Sequence, residues 1–149
     1  MTEHWAADLP DPERRAALVH LGVLTGLEEA PEAAVEEGFP PVAVVRLQEA
    51  LGVTREQILR ALHMTRYAWR RARQEGRLSP DQSRRLFQMA VAYAVALKAV
   101  GGSRDSLRRW LRTPLPGLGG RTPLSVLDQD DGPEAVYTLA SRSLYGVYM

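Results

Sequence analysis

Apolar residues recur along this chain at the spacing of an α-helix, and the sequence has no sustained alternation typical of a β-strand. The pattern is clearest after Pro80, where apolar side chains are repeatedly three or four positions apart: Leu86, Met89, Ala90, Tyr93, Ala94, Leu97 and Val100. Ser79 and Gln82 flank Pro80 as the two members of a capping box, which is a helix start signal. The sequence therefore predicts an all-α fold.

Cap and breaker residues divide this pattern into separate helices. A first helix is predicted from Asp11, an N-cap residue followed by a proline and an acid, and residues 22–41 read as a linker containing one short helix. The helices predicted after that first one span 32–37, 42–51, 54–62, 65–75, 80–100, 103–111, 123–127 and 133–144. Residues 113–123, rich in proline and glycine, are predicted to form a loop.

A near-repeat lies in the middle of the chain. "ALGVTRE" (50–56) and "ALHMTRY" (61–67) share the order Ala-Leu-x-apolar-Thr-Arg, so in each copy the leucine ends one helix and the threonine caps the next. Two short helices joined by about three residues form a helix-turn-helix. His63 stands at the turn position where glycine is more comfortable, although histidine is one of the residues that tolerate a left-handed backbone.

These features divide the chain into three parts. Residues 1–40 form an N-terminal helix and linker, residues 41–78 a helix-turn-helix part, and residues 79–149 a small helical C-terminal domain.

The sequence contains no cysteine, which favours a reducing compartment, and no run of about 18 apolar residues that would span a membrane. Because its first 15 residues are acidic and lack an apolar core, we expect no signal peptide and a cytoplasmic location.

Charge is distributed unevenly, although the net charge is only +1. Residues 1–38 carry −7, whereas residues 54–85 contain nine arginines and three acids and carry +6. One basic segment within a nearly neutral chain indicates contact with a polyanion. Of the 19 basic residues 18 are arginine, which suits phosphate and base edges, but a GC-rich genome gives the same bias.

The basic segment coincides with the second helix of the helix-turn-helix. On that helix Arg66, Arg70 and Arg73 share one face, with Tyr67 and Arg71 beside it, while Ala68, Trp69 and Ala72 are expected to pack inward. Thr54 and Arg55 begin the preceding helix, where they are placed to hold a phosphate. The pattern is typical of a helix in the major groove of DNA; the alternative is a solvated basic helix, or one that binds an acidic protein.

The sequence offers no sign of catalytic or metal chemistry. Its three histidines, His4, His20 and His63, lie far apart and lack a metal-ligand spacing. "DQDDG" (128–132) has its glycine too early for a calcium loop, and "GLGGRT" (117–122) lacks the Lys-Ser/Thr of a P-loop. We therefore predict a protein that is not an enzyme and needs no cofactor.

The terminal stretch "SRSLYGVYM" (141–149) is unusual because it is aromatic and apolar. Two interpretations are open: a short extended piece that closes the chain's own core, or a probe whose rings fill a concave pocket of a partner. In the second interpretation Gly146 lets the segment bend.

From about residue 50 onward the chain resembles the Xre/MbcA/ParS antitoxins of bacterial RES–Xre toxin–antitoxin systems. The resemblance rests on "EGRLSPDQSRRLFQMA" (75–90), "WLRTPLPGLGGRTPLSVLD" (110–128) and "YGVY" (145–148), in that order. It covers about two-thirds of the chain, and His63, where these antitoxins commonly have glycine, is a departure.

The resemblance implies an antitoxin that joins a DNA-binding helix-turn-helix to a toxin-binding C-terminal domain, neutralises an NAD-consuming RES-domain toxin and represses its own operon. It implies a recognition helix at 65–75 and a plug for the active-site cleft of the toxin at the C-terminus. The residues then expected to bind toxin are Arg112, Leu118, Arg121, Tyr145, Gly146, Val147, Tyr148 and Met149.

Because operator half-sites are usually read by two-fold dimers, a homodimer is expected, with the helix at 80–100 as part of its interface. A second hypothesis remains, a transcription regulator without a toxin, whose C-terminal domain serves only to dimerise it. An enzyme with an unrecognised site is a third and much weaker hypothesis.

Overall fold

The computed structural model describes residues 31–144, and within them the regular structure is entirely helical. The eight α-helices are α1 (Pro31–Glu37), α2 (Val42–Leu51), α3 (Arg55–Ala61), α4 (Arg66–Glu75), α5 (Pro80–Ala99), α6 (Arg104–Leu111), α7 (Pro123–Val126) and α8 (Gly132–Leu144). A 3-10 turn over Pro116–Leu118 lies in the loop between α6 and α7. The expected all-α fold is confirmed.

The longest helix, α5, forms the centre of the molecule. Helix α8 packs along it and α1 packs against it, while α2 contacts α3, α5 and α6. One continuous core results, and its largest fully buried side chains come from both halves of the chain: Phe39, Val44, Leu47, Ile58, Leu78, Leu86, Met89, Val91, Leu107 and Leu111. Helices from both halves of the chain therefore pack on α5: α1 and α2 before it, and α6 and α8 after it.

Hydroxyl caps fix the starts of five of these helices. Each cap side chain accepts a hydrogen bond from the backbone N–H three residues further on, which satisfies a donor that the helix leaves open. The five caps are Thr54, Thr65, Ser79, Ser103 and Thr122. Thr54 and Ser79 also form complete capping boxes with Gln57 and Gln82.

Cap chemistry is local, and for this reason the predicted helices agree closely with the observed ones. The helix predicted over 42–51 has those bounds, and the one predicted over 80–100 ends one residue earlier. The predicted loop at 113–123 contains the short 3-10 turn in addition. The helix predicted from Asp11 and the terminal segment 145–149 lie outside the described residues.

Within residues 31–144 no single helix is long and apolar enough to cross a membrane. Only α5 and α6 taken together meet such a criterion, and they are bent by 111° where they join. The apolar side chains of α5 from Met89 to Tyr93 are all buried within the fold.

Candidate functional site

The two turns of the near-repeat have the same backbone geometry. Gly52 and His63 both adopt a left-handed conformation, with φ of 68° and 58°, and His63 is the one non-glycine residue with positive φ among residues 31–144. After each, the next N–H reaches back to the helix: Val53 to the Gln48 carbonyl at 3.2 Å, and Met64 to the Leu59 carbonyl at 2.8 Å. This is a Schellman closure, so the near-repeat in sequence is a repeat in structure.

The helices that follow these turns, α3 and α4, form the predicted helix-turn-helix. Trp69 and Ala72 of α4 are buried as predicted, whereas Ala68 is half-buried. The five predicted DNA-binding side chains of α4 are exposed: Arg66, Tyr67, Arg70, Arg71 and Arg73. Tyr67, with 56% of its surface accessible, is one of two large apolar side chains exposed to this degree within residues 31–144.

Two of these arginines are engaged by acids and two are not. Arg66 pairs with Glu56 of α3, and Arg71 pairs with Glu75 at 2.8 Å. Hydrogen bonds to Glu75, and to a lesser extent to Tyr67, raise the pKa of Arg71. Neither Arg70 nor Arg73 has an ion pair or hydrogen bond within residues 31–144, so both guanidinium groups are available to a polyanion.

Thr54 and Arg55, predicted to hold a phosphate, have partners in the fold. The Thr54 hydroxyl caps α3 and accepts a hydrogen bond from the backbone N–H of Gln57 at 3.1 Å. The Arg55 Nε donates to Gln48 Oε1 at 2.6 Å, and its guanidinium lies 4.9 Å from the centroid of the Trp69 ring. Arg55 therefore braces α4 against α3 and is held in a defined position.

A basic groove runs between α3 and α4. Its floor is apolar, made of Leu59, Met64 and Trp69, and its volume is about 830 Å³. Its other lining residues are four arginines and one acid, which pairs with Arg66: Arg55, Arg60, Arg66, Arg70 and Glu56. The structure thus brings Arg55, Arg66 and Arg70 to one groove, leaving the other predicted DNA-binding side chains outside its lining.

The predicted toxin-binding residues within the described part lie around the loop after α6. Arg112 donates to the Gly52 carbonyl at 2.9 Å, and Arg121 donates through Nε to the Leu118 carbonyl at 3.0 Å. The Leu118 side chain is 7% exposed and belongs to the chain's own core. The loop is closed by hydrogen bonds from Leu115 to Arg121 and from Gly120 to Leu115. Tyr145, Gly146, Val147, Tyr148 and Met149 lie outside the described residues.

The sequence reasoning missed three residues that join the two halves. Arg85 of α5 donates to backbone carbonyls of Ala61, Leu127, Gln129 and Asp130, at 2.7–3.0 Å. Arg108 donates to the carbonyls of Glu49 and Ala50, and the His63 ring bonds the Asp128 carbonyl. Nothing in the local pattern identifies such contacts, because their acceptors are backbone groups far along the chain.

Burial lowers the pKa of Arg85, and the nearby carboxylates of Asp130, Asp128 and Asp131 oppose that effect. The carbonyls around it replace the water that its guanidinium loses. Within residues 31–144 no group of three or more histidine or acidic side chains is arranged to hold a metal ion.

Comparison with known families matches both halves of the chain. Residues 30–91 match the antitoxin Xre-like helix-turn-helix domain, and residues 96–146 match the antitoxin Xre/MbcA/ParS C-terminal toxin-binding domain. The chain belongs to the Xre/MbcA/ParS antitoxin family. It is therefore a type II antitoxin with a helix-turn-helix domain and a toxin-binding domain, as the resemblance implied.

Two curated Xre antitoxins are similar to this chain. Antitoxin Xre of Yersinia enterocolitica is 29% identical over 115 residues, covering 76% of this chain and 78% of its own length. Antitoxin Xre of Photorhabdus laumondii is also 29% identical, over 117 residues that cover 77% and 78% of the two chains.

Proposed function

We propose that this Xre antitoxin neutralises a RES-domain toxin that consumes NAD, by blocking its active site with the C-terminal region, and that it binds operator DNA to repress its own operon. The observation that carries the toxin half is the match of residues 96–146 to a toxin-binding domain. The observation that carries the DNA half is the pair of unengaged arginines on α4, Arg70 and Arg73, of which Arg70 lines the basic groove.

The DNA half follows from the geometry of α4. Trp69 and Ala72 anchor the helix in the core, and the side chains of Arg70 and Arg73 are exposed. Arg55, held over Trp69, extends the positive surface across the groove, in which Arg66 is paired with Glu56. Guanidinium groups bind phosphates and guanine edges as forked donors, and the exposed Tyr67 ring adds an apolar contact.

Arg70→Ala tests this half, with Arg104→Ala as the matched control. Arg104 is also exposed and lies on α6, away from the groove. We expect Arg70→Ala to weaken operator binding by about 5- to 150-fold. The slope of log affinity against log salt concentration should fall by about one, the amount that corresponds to one lost phosphate contact. Unchanged binding in a gel shift or by fluorescence anisotropy, with Arg104→Ala also unchanged, would show that α4 does not face DNA.

The toxin half uses the apolar terminal segment as a plug. Tyr145, Val147, Tyr148 and Met149 provide contact area at low rotamer cost, and Gly146 allows the segment to bend into a cleft. An inhibitor that only occupies the active site of the toxin needs no chemistry of its own, so the strength of inhibition is set by the binding free energy. Leu118 would act by shaping the loop, because its side chain is buried, and Arg121 because it is hydrogen-bonded within the loop. Arg112 would act through its hydrogen bond to the Gly52 carbonyl.

Deletion of residues 145–149 tests the plug. We expect loss of protection against NAD depletion in cells that express the toxin, and about 30- to 1000-fold weaker inhibition after loss of one buried aromatic anchor, as in Tyr148→Ala. Ser143→Ala, an exposed change two positions before the segment, is the control. Full protection by the deleted chain would refute the plug.

A homodimer in the cytoplasm completes the proposal, since operator half-sites are usually bound by two-fold dimers. Co-purification with the product of the adjacent gene separates the two hypotheses about partners. A RES-domain protein recovered in the complex supports the antitoxin proposal. A dimer that binds DNA and recovers no toxin would favour a transcription regulator without a toxin.

A further inference from the structure

The C-terminal ends of α2 and α3 are each held by an arginine from a later helix. At the end of α3, the Nε of Arg85 donates to the Ala61 carbonyl at 3.0 Å. At the end of α2, Arg108 donates to the carbonyls of Glu49 and Ala50, at 2.6 and 3.4 Å. Ala50 and Ala61 are the equivalent residues of the near-repeat, so the same position in each copy accepts a hydrogen bond from the Nε of an arginine.

The remaining donors of Arg85 tie that end of α3 to the C-terminal domain. They reach the carbonyls of Leu127, Gln129 and Asp130, at 2.7, 2.7 and 2.8 Å, in the turn between α7 and α8. These divergent hydrogen bonds require the planar guanidinium group of arginine, which carries several N–H donors. Lysine keeps the charge, but its single ammonium group cannot reach carbonyls on both sides of the turn.

The Ala61 carbonyl lies directly before the turn that sets the direction of α4. His63 is left-handed in that turn and Thr65 caps α4, so a shift of Ala61 moves Arg66 and Arg70 relative to α3. Neither Arg85 nor Arg108 lines the basic groove.

We propose that Arg85 is a positioning residue for operator recognition, which holds the α3–α4 geometry from outside the DNA-binding surface. The proposal rests on the DNA half of the proposed function. A positioning residue affects the fit of α4 to a particular sequence, whereas the number of phosphate contacts, and with it the non-specific affinity, stays the same.

Arg85→Lys tests the proposal, with Arg84→Lys as the matched control. Arg84 is adjacent on α5 but pairs with the side chains of Asp81 and Glu36, and within residues 31–144 it contacts no backbone carbonyl of another element. Binding to operator DNA and to a scrambled duplex is measured at several salt concentrations. We expect Arg85→Lys to lower the ratio of operator to non-specific affinity by about 10- to 100-fold, the factor expected for losing charge-assisted hydrogen bonds.

The non-specific affinity and its salt slope should stay unchanged in Arg85→Lys, and Arg84→Lys should match the parent chain in every measurement. An unchanged affinity ratio in Arg85→Lys would overturn the proposal. So would an equal loss on both duplexes, because that result indicates general unfolding rather than altered fit.

Amide hydrogen exchange provides a readout that needs no DNA. The Met64 N–H, bonded to the Leu59 carbonyl at 2.8 Å, should exchange faster in Arg85→Lys than in Arg84→Lys. Equal protection in the two variants would refute the positioning role. If the parent chain binds no operator, the DNA half of the proposed function fails, and the exchange comparison still decides the role of Arg85.

Discussion

The imidazole Nε2 of His63 lies 2.6 Å from the backbone carbonyl oxygen of Asp128, 65 positions further along the chain. Because a carbonyl oxygen only accepts, the ring nitrogen donates this hydrogen bond. His63 is also left-handed, with a φ of 58°, at a turn position that favours glycine. His63 thus has an unfavourable backbone conformation in the turn of the helix-turn-helix, and its side chain makes a hydrogen bond to the C-terminal domain.

Replacing His63 separates these two effects. His63→Gly removes the left-handed cost of about 1–2 kcal/mol but loses a hydrogen bond worth about 0.5–1.5 kcal/mol, so its stability should stay close to that of the parent. His63→Ala loses the hydrogen bond and keeps the backbone cost. In urea unfolding we expect the alanine variant to be less stable than the glycine variant by about 1 kcal/mol. Equal stability of the two would contradict the strain assigned to this turn.

Local chemistry is the part of this fold that the sequence could predict. Thr54 and Ser79 act on N–H groups three residues away, and the alignment of Gly52 with His63 follows from two short matching segments. The basic face of α4 is equally local, since helix periodicity alone decides which side chains share a side.

Contacts to distant backbone carbonyls could not be predicted in the same way. Arg85, Arg108 and Arg112 look like any other arginine in the sequence, and their acceptors become neighbours only after the chain has folded. The burial of Leu118, a predicted toxin-binding residue, is likewise not visible in the sequence, because it results from the way the loop around it closes on itself.

Gly52 should be more sensitive to alanine than another left-handed glycine. Gly52 has a φ of 68°, and a Cβ there would lie 2.9 Å from Nε of Arg108. Gly76 has a φ of 79°, and among the described residues no heavy atom lies within 4 Å of such a Cβ. Both changes incur the left-handed cost of about 1–2 kcal/mol, but only Gly52→Ala also displaces Arg108 from its carbonyls.

We therefore expect Gly52→Ala to be less stable than Gly76→Ala by about 1–2 kcal/mol in urea unfolding. The double variant Gly52→Ala with Arg108→Ala checks the cause, because the added methyl group then has no guanidinium to displace. If Gly52→Ala and Gly76→Ala unfold at the same urea concentration, Arg108 makes no stabilising contact at this turn.

Ser83 supports the segment before α2 from within the core. Its side chain is fully buried on α5, and its hydroxyl oxygen accepts the Phe39 N–H at 2.8 Å. The Phe39 carbonyl in turn accepts the Leu78 N–H at 2.8 Å. Ser83→Ala leaves the Phe39 N–H buried without a partner, so it should lower the free energy of unfolding by about 1–3 kcal/mol.

Ser125→Ala is the comparison for Ser83→Ala. Ser125 is exposed, and its hydroxyl donates to the Thr122 carbonyl at 2.7 Å, a group that water can also reach. Its loss should change stability by about 0.5 kcal/mol or less. A loss of stability in Ser83→Ala as small as that in Ser125→Ala would show that the Phe39 N–H finds another acceptor.

Gly132, the first residue of α8, allows two backbone segments to approach closely. A Cβ on Gly132 would lie 2.0 Å from the Val126 carbonyl oxygen and 2.9 Å from the Leu127 Cα. These are backbone atoms at the end of α7 and cannot rotate away as a side chain can. Gly132→Ala must therefore separate α8 from α7 and disturb the turn whose carbonyls bind Arg85.

We expect Gly132→Ala to lower the free energy of unfolding by about 3 kcal/mol or more, which exceeds the usual effect of one substitution. Gly101→Ala is the control, since Gly101 is left-handed and an added Cβ would have no heavy atom of residues 31–144 within 4 Å. This change should cost only about 1–2 kcal/mol. Thermal unfolding of both variants measures the difference. Because the carbonyls of the α7–α8 turn bind Arg85, the Met64 amide hydrogen should also exchange faster in Gly132→Ala than in the parent chain. If Gly132→Ala is destabilised but the Met64 amide remains fully protected, the turn does not support the helix-turn-helix.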